Sequence, residues 1–186
     1  MKRREAISSL SVIAGGSIIL PQMLSGCETA EHPYALFDRG DTELLNDIAE
    51  TIIPETPGSP GAKAANVGDF IQRYVTNCFS PVDLKIFLDG LAHLKAETDK
   101  NFGKRFTSLS PSEKYDVVRG LEKQRTEYQR NAIPGTPPHF YHLLKSTILF
   151  GYFTSEQGAT TALRYVPVPG GQKGIIPYEG EKAWAL

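Results

Sequence analysis

Apolar side chains recur at helical spacing through most of this chain. Leu44, Leu45, Ile48, Ala49 and Ile52 fall three and four residues apart, which lines one face of a helix, and Asp41 stands where an N-cap belongs. Pro54 ends that helix, and Pro54 to Ala62 holds three prolines and two glycines in nine residues, a composition that forces a stiff loop. Asn66 opens a second helical segment through Val67, Phe70, Ile71, Tyr74 and Val75 to Cys78. Ser80-Pro81-Val82-Asp83 and Ser110-Pro111-Ser112-Glu113 each set a serine cap, a proline in the first turn and a carboxylate at the third position, so each starts a helix. The first carries Leu84, Phe87, Leu88, Leu91 and Leu94 on one stripe, and the second Tyr115, Val118, Leu121 and Tyr128. A connection containing Gly103 separates the two, and Ile133 to Pro138 is a second proline break. His139 to Phe153 reads as a further helix with Phe140, Leu143, Leu144, Thr147, Ile148 and Gly151 inward, followed by a short one from Ser155 to Tyr165. No stretch alternates polar and apolar long enough to argue a sheet, so the expected fold is all-α, a single compact domain of about six helices with long Pro/Gly-rich loops.

The two ends break the pattern differently. Pro167, Pro169, Gly170, Gly171, Gly174 and Pro177 preclude regular structure from Val166 to Gly180, yet Tyr165, Val166, Val168, Ile175, Ile176, Tyr178 and Trp184 are apolar or aromatic. A tail both irregular and apolar needs a surface to lie on, and its far end is expected to reach outward. At the other end, Lys2, Arg3 and Arg4 precede an apolar run of 11 residues, Leu10 to Leu20, and Leu24-Ser25-Gly26-Cys27 follows. That run is too short for a permanent membrane span and suits a cleavable export signal. The small residues before Cys27 resemble a bacterial lipobox, whose cysteine is acylated and becomes the new N-terminus. Residues 1–26 are therefore expected to be an export signal, 27–40 a tether and 41–186 the helical domain. The Arg3-Arg4 pair looks like a twin-arginine signal, which exports folded proteins, with ordinary secretion as the alternative.

Loss of Lys2, Arg3, Arg4 and Glu5 with the signal leaves 17 basic and 20 acidic groups in 160 residues, with no basic stripe, so nucleic acid is not an expected partner. If Cys27 is acylated, Cys78 is the only mature thiol. It shares helical spacing with Phe70, Ile71 and Tyr74, so burial is expected, a bond to another chain being the alternative.

Catalytic chemistry is scarce. His139 and His142 lie three apart on one helix without companion ligands nearby, and read as one packed and one exposed histidine rather than a metal site. The chain has no dinucleotide or phosphate-loop glycine pattern and no haem-attachment motif, and Gly170-Gly171-Gln172-Lys173-Gly174 precedes no helix. Asp83, Asp89, Glu97 and Glu113 read as caps and solvated faces. No catalytic, cofactor-binding or metal-binding residue is expected on this chain.

One set of blocks is more particular. Phe150-Gly151-Tyr152-Phe153-Thr154-Ser155-Glu156-Gln157-Gly158-Ala159, then Leu163-Arg164-Tyr165 and Val168-Pro169-Gly170, stand with Ile48 to Pro54, Thr56-Pro57-Gly58 and Val67 to Ile71. Together they resemble the gluconate 2-dehydrogenase subunit 3 family, from about Leu44 to Gly174. The resemblance implies an exported accessory subunit that escorts and stabilises a large flavoprotein of the glucose-methanol-choline type. FAD and substrate oxidation would lie on that partner, and electrons would leave through a cytochrome c. The lipobox departs from complexes held to the membrane by their cytochrome, and so puts the cytochrome in question. Pro57, Pro60, Tyr152, Phe153, Glu156, Arg164, Tyr178 and Trp184 are the expected partner contacts, each with a packing role as its alternative, and the expected location is the periplasmic side of a bacterial membrane, lipid-anchored. Two other classes stay open: a free-standing periplasmic lipoprotein binding a sugar or other small ligand, which requires an aromatic-lined pocket, and an enzyme of unrecognised type.

Overall fold

The computed structural model describes residues 36–38, 40–168, 170, 171, 175 and 177–185. The expected signal with Arg3 and Arg4, and the expected acylation site Cys27, lie outside the described residues. The described part is one compact unit of five α-helices: α1 Asp41–Ile52, α2 Val67–Cys78, α3 Pro81–Phe102, α4 Pro111–Arg130 and α5 Phe140–Phe153. A 3-10 turn, Phe106–Ser108, joins α3 to α4, and a π-helical turn, Gly158–Ala162, stands where the sixth helix is expected. Among the described residues there are no strands, only isolated bridges, and no helix is long and apolar enough to cross a membrane.

α1 packs on α2 and α4, and α5 packs on α2, α3 and α4. The helices α1, α2, α5 and α4 therefore close a ring, with α3 lying against α5 outside it. Leu45, Ile48, Val67, Ile71, Val75, Leu144 and Ile148 fill the ring and are fully buried, each burial contributing about 1.5–3 kcal/mol. α3 attaches through Phe87, whose ring meets Phe140 of α5 at 5.7 Å between centroids and Phe79 at 5.9 Å. Phe37, within the stretch expected to be a tether, also packs edge-on against Phe87 at 6.4 Å and is buried.

Two predicted caps are as expected. Ser80 Oγ accepts the Asp83 N–H, and Ser110 closes a reciprocal box in which the Ser110 N–H donates to Glu113 Oε2 at 2.7 Å. The other two starts differ. Asp41 is inside the first turn of α1, where its buried carboxylate accepts the Asp38 N–H at 2.9 Å and pairs with Lys95 of α3. Asn66 adopts a left-handed conformation (φ 48°) and caps nothing with its side chain. The start of α2 is capped instead from α1, because Asn46 Oδ1 accepts the Gly68 N–H at 2.7 Å while Asn46 Nδ2 donates to Asn66 Oδ1. Gln72 adds a second tie between the two helices, donating to Thr42 Oγ1 at 2.7 Å.

Buried charge is paired. Asp47 of α1 receives Lys63 at 2.8 Å and Lys114 of α4 at 2.7 Å. Burial opposes ionisation of Asp47, but the two ammonium groups outweigh it and hold the carboxyl below its usual range. Removing either lysine would leave a buried carboxylate undercompensated.

The stripe predictions miss by one helical step in places. α2 turns Val67, Ile71, Gln72 and Val75 inward, leaving Phe70 and Tyr74 half-buried and Cys78 exposed, contrary to its expected burial. Tyr115 points to solvent, and Tyr128 donates its hydroxyl to the Pro137 carbonyl at 3.0 Å. Tyr141, absent from the predicted stripe, is buried, and burial pushes its hydroxyl up to about 12.

Gly68 sits where α2 crosses α1 so closely that an added Cβ would lie 2.4 Å from the Thr42 carbonyl oxygen. Gly68→Ala should destabilise by about 2–3 kcal/mol in urea unfolding, since backbone must move to admit it. Gly120→Ala, mid-helix in α4 with nothing within 4 Å of the new methyl, should stabilise by about 0.5–1 kcal/mol.

His139 caps α5, its Nδ1 accepting the Tyr141 N–H at 3.1 Å, which requires an unprotonated nitrogen. Burial, then the charge of Arg125, lowers its pKa. Its contribution is therefore complete above the unfolded value of about 6.5 and is lost as pH falls through the lower folded value. Between pH of about 7.5 and about 5.5, the Tm should fall more for the wild type than for His139→Asn, whose amide oxygen accepts at either pH.

Candidate docking surface

The proline-rich loop after α1 is an ordered hairpin. Thr56 and Ser59 exchange both backbone hydrogen bonds, at 2.9 and 3.1 Å, placing Pro57 and Gly58 at the tip. Glu50 of α1 holds both feet, since its carboxylate accepts the Glu55 N–H at 2.9 Å and the Lys63 N–H at 2.8 Å. Pro57 is exposed and Pro60 half-buried.

From the opposite side the hairpin is held by Tyr152, at the end of α5 and only 1% exposed. Its hydroxyl donates to the Pro60 carbonyl and shares a 2.7 Å hydrogen bond with Ser59 Oγ. Tyr152 is thus a positioning residue beneath the loop, the packing role having been its alternative. Phe153, 39% exposed, leans edge-on against it at 5.2 Å, and Phe150, three residues back on the same side of α5, is exposed with its ring 5.3 Å from Tyr74.

Gly158 begins the π-helical turn with no room for a side chain, a Cβ there falling 1.9 Å from the Tyr152 carbonyl oxygen. Ser155 opens the segment that leads into this turn, its hydroxyl accepting the Gly158 N–H at 3.0 Å. Glu156, two residues before that turn, is exposed. Arg164, half-buried just beyond it, forms a parallel bridge with Trp184, donating its N–H to the Ala183 carbonyl at 2.8 Å and accepting the Ala185 N–H at 3.0 Å. The Arg164 guanidinium stands over the Trp184 indole, 3.7 Å from the ring centroid. Lys182 ties the same tail segment to the Thr161 carbonyl and, at 3.4 Å, to the Gly58 carbonyl at the hairpin tip.

The tail therefore runs opposite to expectation. Its far end returns to the body, and its middle projects, with Val168 82%, Ile175 96% and Tyr178 81% exposed. Hairpin, π turn and returning tail gather Pro57, Pro60, Tyr152, Phe153, Glu156, Arg164 and Trp184 into one region. Tyr178 stands apart on the projecting loop. Glu50, Ser59 and Lys182 organise the region without a sequence signal, because their partners are backbone groups and a phenol up to 124 residues away.

Little else offers chemistry. His139 is occupied as a cap and His142 is exposed, and no group of three or more His, Cys, Asp and Glu among the described residues is placed to hold a metal ion. A cleft of about 670 Å³ opens between α1, α3 and the 3-10 turn, lined by Asp38, Asp41, Lys95, Asp99 and Arg105 with Phe106 as its one aromatic. Its lysine is already committed to Asp38 and Asp41, and with one aromatic it lacks the lining a sugar site requires.

The family model for gluconate 2-dehydrogenase subunit 3 matches residues 40–170, and the chain belongs to that family. No curated protein and no solved structure matches it. The matched span takes in all five helices, the hairpin, the π turn and Arg164, and stops before the returning segment that carries Trp184.

Tyr152→Phe keeps the buried ring and deletes the tie to the hairpin. It should cost about 1–2 kcal/mol in urea unfolding and speed hydrogen exchange of the Thr56 and Ser59 amides. Unchanged exchange at both amides would show that the hairpin stands without the phenol.

Proposed function

We propose that this chain is a non-catalytic subunit that docks on, escorts and stabilises a large FAD-dependent dehydrogenase of the glucose-methanol-choline type, with FAD and sugar or polyol oxidation on that partner. The observation that carries the reading is the projecting tail, where a valine, an isoleucine and a tyrosine lie more than four-fifths exposed, further than any other large apolar side chain among the described residues. Apolar side chains held out in this way mark a surface made to be covered. Membership of a dehydrogenase-subunit family supplies the kind of protein that covers it. A stable subunit interface buries on the order of 2,000 Å² or more in total, which the hairpin, α5 end and tail must share with further contacts.

On this reading Cys27 carries the lipid that fixes the complex to the periplasmic face of a membrane, and Arg3 and Arg4 route the assembled, cofactor-loaded pair through a folded-protein exporter. A cytochrome c accepting the electrons is a further component of the proposal. Purifying the tagged chain from its native envelope should bring down a larger yellow protein with flavin absorption. Replacing Arg3 and Arg4 by lysine should strand that flavoprotein in the cytoplasm. A preparation free of flavin would sink the subunit reading, whereas unchanged periplasmic dehydrogenase activity in the lysine variant would remove only the escort role.

A further inference from the structure

Arg164 is held in an unusual way for a surface cation. Its guanidinium lies over the Trp184 ring at 3.7 Å, its Nε is sealed from solvent with no hydrogen-bond partner, and no carboxylate among the described residues forms an ion pair with it. Glu181, an acidic neighbour that feels its charge, is engaged elsewhere. Its carboxylate takes backbone N–H groups, that of Glu179 at 2.8 Å, and these are the larger cause of its lowered pKa. A guanidinium presents five N–H donors in a planar fork matched to a carboxylate, and stacking on an indole fixes that plane. The stack is also rigid from below, since Arg164 and Trp184 are joined through both backbones and Lys182 staples the strand to the π turn and hairpin. The chain leaves this stack at Tyr165 and returns to it at Ala183, and between those points Val168, Ile175 and Tyr178 are held out to solvent.

We infer that the Arg164–Trp184 stack is a docking anchor that receives a carboxylate of the large subunit, while the apolar side chains of the loop it closes lie against the surface around that carboxylate. The inference rests on the subunit reading above and deepens it by naming the anchor and the chemistry it recognises. An anionic membrane surface offers phosphates to the same fork. Glu181, close enough to feel the charge of Arg164, disfavours a sheet of negative charge, whereas a single carboxylate set in an apolar surface avoids it.

The test uses the full chain and the flavin-bearing subunit that co-purifies with it, recombined as separate components at two salt concentrations. Arg164→Gln and Trp184→Leu should each weaken the complex roughly tenfold to a hundredfold, and Arg164→Lys, which keeps the charge and loses the fork, should fall between. The wild-type affinity should fall with salt more steeply than that of Arg164→Gln. Each variant alone should keep the wild-type Tm within a few degrees, because both side chains sit at the edge of the fold; a variant that melts early is replaced by Trp184→Phe, which keeps a ring. If the wild type recombines and all variants match it, the anchor is overturned and the subunit reading stands. If no flavin-bearing subunit recombines with the wild type, the subunit reading itself fails and takes the anchor with it. A salt-dependent difference between wild type and Arg164→Gln on phosphatidylglycerol vesicles, with none on the flavoprotein, would assign the stack to lipid and overturn the proposal.

Discussion

The phenol of Tyr152 joins what the rest of the surface depends on. It is nearly inaccessible, yet its hydroxyl serves Ser59 and Pro60, more than ninety residues away in the chain. A buried hydroxyl without a partner costs about 1–3 kcal/mol, so the hairpin is not free to leave α5 without exposing that debt. The same residue's carbonyl excludes any side chain at Gly158, which sets the start of the π turn against the end of α5. Hairpin and turn are thereby placed relative to one another, and the returning tail can bridge them through Lys182. Glu50 completes the arrangement from α1 by gripping both feet of the hairpin. A loop of three prolines is stiff by composition, but its position comes from these polar ties.

What was legible in the sequence follows the range of the interactions involved. The Ser80 and Ser110 caps were readable because every group in them lies within three residues. The helical character, the proline breaks and the family blocks were readable for the same local reason. Asp41 and Asn66 look like caps by identity and are not, since Lys95 draws the one toward α3 and Asn46 of α1 does the capping of α2. Cys78 repeats Phe70 and Tyr74 at helical spacing, and the period alone does not say on which side of that stripe the core lies. The ring packing around Ile71 and Val75 decides it, and turns the thiol out. The tail was readable as apolar and irregular, but the Arg164 to Trp184 bridge spans twenty residues and leaves no periodic trace.

The division of charge between interior and surface supports a structural role for the body. Its buried carboxylates are spent on lysines that pin α1 to α4 and α3, through Asp47 and Asp41, and its buried tyrosine hydroxyls are spent on neighbouring carbonyls and a carboxylate. Groups so occupied join the helices, and disturbing them would loosen the body. Among the described residues, the apolar side chains of the tail and the arginine on its closing stack are not committed in this way. Both face outward, and both are of the kind that interfaces use.

An exposed apolar loop on a small domain carries a cost before its partner arrives, because it invites aggregation. Two features of this chain bear on that cost. The closing stack limits how far the loop can open, since its ends are held by two backbone hydrogen bonds and a cation over an indole. The proposed folded-state export would have the loop covered before the chain leaves the cytoplasm, so that the lone subunit never faces the envelope uncovered. Anchor geometry and export route are then two parts of one requirement: a surface this apolar is safe only when it is either held closed or already occupied.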